Sequence, residues 1–252
     1  MDLGIRGKRA VVIGGSSGLG YAVCEKLAAE GVNLLIFARN PETLNQCKES
    51  LQTAYGVTVD ICAGDIAQEA NVDQLARQCE QIGGVQILVL NTPRPPSPMR
   101  DFLEETEQVR WDQAYQQQLH GALLILRKIT PLLVGSGWGR IVAITSATVK
   151  QPLPRHAISS VFRAGVQAAL KHIAMEVAVH GVTVNSVAPA TIITPTFATY
   201  HNLEQRIQAV PLKRAGKPQE LAATVAFLAS VDAGFITGQT IQLDGGATLA
   251  LC

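Results

Sequence analysis

Two groups of residues in this chain have the types and spacing to do chemistry. The first is the run Gly14-Gly15-Ser16-Ser17-Gly18-Leu19-Gly20. Glycines let the backbone turn sharply and approach a pyrophosphate, and the N-terminus of a following helix favours the phosphate charge. The second is Ser146, Ser159 and Arg163, the last two standing four residues, or one helical turn, apart. Hydroxyls and a guanidinium can hydrogen-bond a carbonyl oxygen and stabilise an oxyanion or enolate. None of the three is a ready proton donor: an alkyl hydroxyl is a weak acid, and arginine keeps its charge. His156, three residues before Ser159, titrates near neutral pH when unperturbed. Lys150 and Tyr200 are further candidates on loop segments, although spacing does not separate them from ordinary solvent-facing residues. His120 and His172 fall within helical segments and read as packing or surface residues.

These groups have to be positioned by an alternating scaffold. Short apolar runs at Arg9 to Ile13, Val32 to Ala38, Val57 to Ala63, Ile87 to Leu90, Arg140 to Thr145, Val182 to Ala188 and Thr240 to Leu243 read as strands. Helical patterns lie between them. One runs from Gly18 to Glu30, one begins at Pro41, one ends near Leu133 and one spans Ser159 to His180. The alternation predicts one domain over residues 1–252 with an α/β, Rossmann-type fold: a doubly wound parallel sheet of about seven strands, with helices on both faces. Thr92-Pro93-Arg94-Pro95-Pro96-Ser97-Pro98 cannot be regular structure, and the segment from Pro189 to about Pro211 reads as a loop with a short helix. Both follow strands, so both are expected to border the ligand crevice, the second as a substrate loop.

The composition supports this fold and narrows the partners. Of the 252 residues, 47% are hydrophobic and 5% aromatic, which suits buried parallel strands under helices. Twenty-one Lys and Arg against twenty Asp and Glu leave no global field that would favour nucleic acid or an anionic membrane. The five cysteines are dispersed, without C-x-x-C pairs or a neighbouring His cluster, and read as small apolar fillers in a reducing compartment. No signal-peptide core and no membrane-length apolar run is present, so a soluble cytoplasmic protein with no bound metal is expected.

The glycine spacing, Gly14-x-x-x-Gly18-x-Gly20, resembles that of the short-chain dehydrogenase/reductase family, and the resemblance continues along nearly the whole chain. Asp65 in Ala63-Gly64-Asp65-Ile66 stands where the family's acidic residue contacts adenine. Asn91 matches the first residue of the Asn-Ala-Gly turn, and Val184 to Pro189 and Thr194 match the sixth strand and the cofactor-contacting threonine. Pro211 to Pro218, Phe227 to Ser230, Thr237-Gly238-Gln239 and Asp244-Gly245-Gly246 match the C-terminal signature, most closely that of the 3-oxoacyl-carrier-protein reductase type. The resemblance implies a nicotinamide dinucleotide held by Gly14, Ser16, Ser17, Gly18, Leu19, Gly20, Arg39, Asp65, Ile66, Asn91, Arg163, Pro189, Ile192 and Thr194. A carboxylate at the end of the second strand would hold the ribose of NAD(H) and repel a 2′-phosphate. Here Ala38 is followed by Arg39, so NADP(H) is favoured over NAD(H).

The same resemblance exposes departures. The family uses Ser, Tyr and Lys, with an Asn on the preceding helix that positions Lys through water. Ser146 matches the Ser, whereas Ser159 stands for Tyr, Arg163 for Lys and Gln118 for Asn. Thr92-Pro93 replaces Ala-Gly after Asn91, and Ala190 replaces a Gly after Pro189. Three functions stay open at this level. The chain can be an oxidoreductase on a small-molecule or carrier-bound carbonyl or alcohol, with its proton from Ser146, His156, Tyr200 or water. It can be a dehydratase, isomerase or cyclase using Ser146 and Arg163, or a catalytically silent binding subunit. The family resemblance also implies a homo-oligomer, a tetramer or dimer, built through the long helices and the segment from Ala247 to Cys252.

Overall fold

The computed structural model describes residues 2–194 and 203–251, so Tyr200 lies outside the described residues. Seven strands, β1 (Arg9–Ile13), β2 (Asn33–Ala38), β3 (Val59–Ala63), β4 (Ile87–Asn91), β5 (Gly139–Ile144), β6 (Val182–Pro189) and β7 (Thr240–Leu243), form one parallel sheet in the order β3-β2-β1-β4-β5-β6-β7. Each expected strand is present, with ends shifted by up to two residues. Chain order reverses beside β1, between β2 and β4, and in such sheets a ligand crevice opens there at the carboxyl ends of the strands.

Strand side chains alternate between two cores, one on each face of the sheet. Ala10, Val12, Leu34 and Ile36 enter the first core, while Val11, Ile13, Leu35 and Phe37 enter the second. Helices α1 (Gly18–Ala29) and α2 (Pro41–Tyr55) cover the first face. Helix α3 (Glu69–Gln81) begins the cover of the second. Helix α2 starts as the sequence predicts: the Asn40 side chain accepts the Thr43 N–H at 2.9 Å, Pro41 takes the first turn and Gly56 ends the helix in the left-handed region.

The remaining helices carry the site. A short α4 (Gln108–Ala114) runs through a π-helical turn, Tyr115–His120, into α5 (Gly121–Val134). The helix expected from Ser159 begins two residues earlier as α6 (Ala157–Val177) and tightens to a 3₁₀ turn at Ala178–His180. The expected short helix in the loop after β6 is α7 (Leu203–Ala209), and α8 (Pro218–Leu228) packs against α1. Among the described residues no helix is long and apolar enough to cross a membrane.

The proline-rich loop after β4 is tied down from α4. Arg110 and Glu105 form a two-pronged ion pair, Nε to Oε2 at 2.7 Å and Nη2 to Oε1 at 2.9 Å, with the Glu105 side chain only 1% exposed. The Arg110 Nη2 also donates to the carbonyls of Pro96 and Pro98. Prolines cannot offer N–H groups to a ladder, so this loop takes its anchorage from a guanidinium instead.

Candidate active site

The glycine turn joins β1 to α1 at the crevice. Gly14 and Gly18 have φ of +67° and +55°, a region in which an L side chain is strained. A Cβ on Gly14 would lie 2.7 Å from the Asn91 carbonyl oxygen, and one on Gly20 would lie 2.1 Å from the Gly14 carbonyl oxygen. Asn91 donates from Nδ2 to that Gly14 oxygen at 3.3 Å, coupling the end of β4 to the turn. Two thiols also brace it: Cys24 donates to the Gly15 carbonyl and Cys47 to the Ser16 carbonyl. Burial pushes both thiols up from the ordinary cysteine value, which keeps them protonated donors. Cys62 and Cys79 are likewise buried and free. Gly20→Ala is expected to cost about 1–3 kcal/mol, because the collision is with backbone that cannot swing aside. Urea denaturation of the variant checks it.

A cavity of about 600 Å³ runs along the carboxyl ends of the strands from this turn. Gly14, Ser16, Ser17, Gly18 and Leu19 form one wall, and Ala38, Arg39, Asn40 and Thr43 form its far end. Arg39 is exposed on that rim, and none of the described lining residues carries a carboxylate. Gly64, Ile66, Asn91, Thr92 and Pro93 also line it, so Thr92 and Pro93 border the cavity without closing it. Gly20 sits behind the surface, where its missing side chain allows the turn and helix to meet.

Asp65 is placed differently from its neighbours. Gly64 and Ile66 line the cavity, whereas the Asp65 carboxylate accepts the Ala67 N–H at 2.9 Å and the Gln117 Nε2 at 3.0 Å. Gln117 projects from the π-helical turn and itself lines the cavity. The adjacent Gln118 is fully buried, and neither its Oε1 nor its Nε2 meets a hydrogen-bond partner. Gln118 does not line this cavity. Insertion of a π turn rotates successive side chains by less than an α-helix does, and it places these two amides on different surfaces.

A second cavity of about 330 Å³ adjoins the first. Ser146, two residues past the end of β5, and Ser159 and Arg163, on the first turns of α6, all line it, together with His156, Pro189, Ala190 and Ile192. Arg94, Arg163 and Thr194 line both cavities. Ser146 Oγ accepts from the Thr148 amide at 3.3 Å and pairs with Thr148 Oγ1 at 3.0 Å. Ser159 is 5% exposed. The Arg163 guanidinium donates to the carbonyls of Ile144, Thr145 and Pro93 at 3.2, 3.3 and 3.5 Å. Burial, with Arg94 nearby, holds its pKa down to about 10, so it is still a cation at neutral pH.

His156 is held as a neutral ring. Its Nδ1 lies 2.6 Å from the Pro154 carbonyl, which can only accept, so Nδ1 carries the proton. Nε2 is then the acceptor of the Arg206 Nη2 donor at 3.2 Å. Burial, first, and the charges of Arg206 and Arg155 lower its pKa from the ordinary histidine value. Lys150 and His172 are exposed, and His120 packs against the Tyr115 ring.

Several residues that shape this site belong to no motif or spacing that would mark them. Arg94, Arg206 and Gln117 reach it from a proline-rich loop, a short helix after β6 and a π turn. Arg94 donates from Nη2 to Thr194 Oγ1 at 3.3 Å, joining the loop after β4 to the segment after β6. The only available cue was that both loops follow strands.

Comparison with known proteins agrees with this fold. The profile of the family described as enoyl-(acyl carrier protein) reductase matches residues 13–248. Glucose 1-dehydrogenase of Gluconobacter oxydans is 33% identical over 251 residues, covering 96% of this chain and 92% of the relative. The 3-oxoacyl-[acyl-carrier-protein] reductase FabG of Staphylococcus epidermidis is 33% identical over 243 residues, covering 95% and 98%. L-Sorbose reductase of Gluconobacter frateurii, solved with NADPH and L-sorbose, superposes with a TM-score of 0.92 at 30% identity over the whole of both chains. The chain belongs to the short-chain dehydrogenase/reductase family, an oxidoreductase family built on this sheet and crevice.

Proposed function

We propose that this chain is an oxidoreductase that binds NADP(H) in preference to NAD(H) in the larger cavity and acts on a carbonyl or alcohol in the smaller one. The observation that carries the reading is their junction, where Arg94, Arg163 and Thr194 line both. A dinucleotide laid from Arg39 toward Arg163 would end beside Ser146 and Ser159. The residues fit the group: side chains are missing where Gly14 and Gly20 must allow close backbone approach, and a cation stands at the β2 rim. Gly14, Ser16, Ser17, Gly18 and Leu19 would receive the pyrophosphate, and Arg39 a 2′-phosphate. Gly64 and Ile66 would flank the adenine, with Asp65 held behind them by Gln117. Asn91, Arg163, Pro189, Ile192 and Thr194 would surround the nicotinamide end.

When bound, NADPH supplies a hydride to the carbonyl carbon and is itself oxidised, while the carbonyl oxygen must gain one proton. Both Thr148 donors point at Ser146 Oγ, which leaves the serine's own hydroxyl proton to bind the carbonyl oxygen. Ser159 stands at the same wall and can relay a proton from water in the cleft. Arg163, fixed by three carbonyls, contributes charge and cannot cycle a proton at neutral pH. His156, with Nδ1–H committed to Pro154, positions Arg206 rather than acting as the acid. Substrates would be small molecules or carrier-bound acyl groups, with a homo-oligomer as the working form and the cytoplasm as its place.

Calorimetric titration tests the cofactor assignment. NADPH is expected to bind more tightly than NADH, and Arg39→Ala to weaken NADPH by about 10–100-fold while sparing NADH, as loss of a charge-assisted contact worth about 1.5–3 kcal/mol would do. Equal loss for both dinucleotides would remove Arg39 from phosphate recognition.

A further inference from the structure

Gln117 and Asp65 are joined beside the larger cavity. Gln117 Nε2 donates to both carboxylate oxygens of Asp65, at 3.0 Å to Oδ1 and 3.2 Å to Oδ2. Oδ1 also accepts the Ala67 N–H at 2.9 Å, so three of the carboxylate's roughly four lone-pair sites are taken. A carboxylate only accepts, which fixes the orientation of the amide: Nε2 faces Asp65, and Oε1 is turned from it. That Oε1 is enclosed and meets no hydrogen-bond partner. Among the described residues, the amide's hydrogen bonds are therefore the two to Asp65. The π-helical turn that carries Gln117 is seated on the same segment, since a Cβ on Gly121, the residue after the turn, would lie 2.9 Å from Ile66.

Asp65 has the chemistry to read a purine. The 6-amino group of adenine donates hydrogen bonds, and a carboxylate favours it over a 6-oxo group, which only accepts. Gly64 and Ile66, on either side of Asp65, line the cavity, as does Gln117, whereas Asp65 itself does not. The acid is thus present in the chain but held away from the space a base would enter, with most of its acceptor capacity used.

Resting on the cofactor reading above, we propose that Gln117 sets the base selectivity of the larger cavity. By holding both oxygens of Asp65 outside the lining, it leaves the 6-position of the base unread. The cavity therefore accepts a 6-oxopurine dinucleotide as well as the adenine one.

The test titrates NADPH and its hypoxanthine analogue, in which a 6-oxo group replaces the 6-amino group, into the full chain by calorimetry. The two are expected to bind within about threefold of each other. Gln117→Leu keeps the side-chain bulk, removes the donor and frees Asp65. It is expected to open a preference for NADPH of about tenfold or more, as a new hydrogen bond to a charged group would do. The readout is a ratio between ligands that differ at one group, so a general loosening of the fold does not move it. A preference for NADPH of about tenfold or more in the unaltered protein overturns the proposal, whether or not the variant folds. A folded Gln117→Leu protein without that preference overturns it as well. If neither dinucleotide binds the unaltered protein, the cofactor reading falls and this proposal with it. If both bind and NADPH is preferred, the Gln117 assignment alone falls.

Discussion

Ser159→Tyr combined with Arg163→Lys is expected to raise NADPH-dependent carbonyl reduction by about 10²–10⁴-fold, the range that a positioned general acid contributes. The scaffold for that gain is already present. Ser146 lies two residues past the end of β5, and positions 159 and 163 lie one helical turn apart on α6, all three at the smaller cavity. Ser159 lines the same cavity as Ser146, so a phenol built there is expected to share that volume with the Ser146 hydroxyl. A lysine at 163 would keep a cation beneath it and favour the phenolate. Each single change is expected to give little, because tyrosine without lysine keeps an ordinary phenol, and lysine without tyrosine has no acid to tune. Steady-state rates across a panel of oxo acids, ketoses and 3-oxoacyl thioesters check this. A double variant that folds and binds NADPH yet gains no rate would show that the α6 frame is displaced from the nicotinamide end.

Glu105→Ala is expected to cost about 3–5 kcal/mol, since it strands Arg110 as a buried cation. Glu105 is almost fully enclosed and takes both prongs of the guanidinium, which also holds Pro96 and Pro98. Urea unfolding of the variant reads the cost directly. Because Arg94 sits on the loop that Arg110 secures, cofactor or substrate affinity should fall as well. The Arg110 hydrogen bonds hold the Glu105 carboxyl below the usual carboxylate range. Its depressed pKa therefore adds stability that is fully present above the ordinary Glu value and lost as pH falls through the folded-state value. Glu105→Gln should flatten that part of the acid limb in the stability–pH profile.

The scaffold was legible in the residues because its signals are local. Val11 and Val12 enter opposite cores because a strand alternates, and Asn40-Pro41 starts a helix because it supplies a cap and a fixed φ. The turn from Gly14 to Gly20 could be read for the same reason, since its glycines answer to contacts a few residues away. The arginines of the smaller cavity could not. Arg94 and Arg206 meet there only because the loops after β4 and β6, with β5 between those strands, emerge at the same carboxyl end of the parallel sheet, and no periodicity encodes that meeting. The π turn was hidden for a related reason. It keeps a helical pattern in composition while changing which glutamine, 117 or 118, reaches Asp65. His156 shows how a correct location can mislead about role: its position at the cleft was readable, but the Pro154 carbonyl and Arg206 that fix its tautomer were not.

Incubating the protein with NADPH deuterated at the transferable position of the nicotinamide, together with a panel of oxo acids and other carbonyl compounds, tests the central claim most directly. The account predicts deuterium on the carbinol carbon of a hydroxy product, with one NADP⁺ formed per product. NADPH that binds but keeps its deuterium across the whole panel would contradict it.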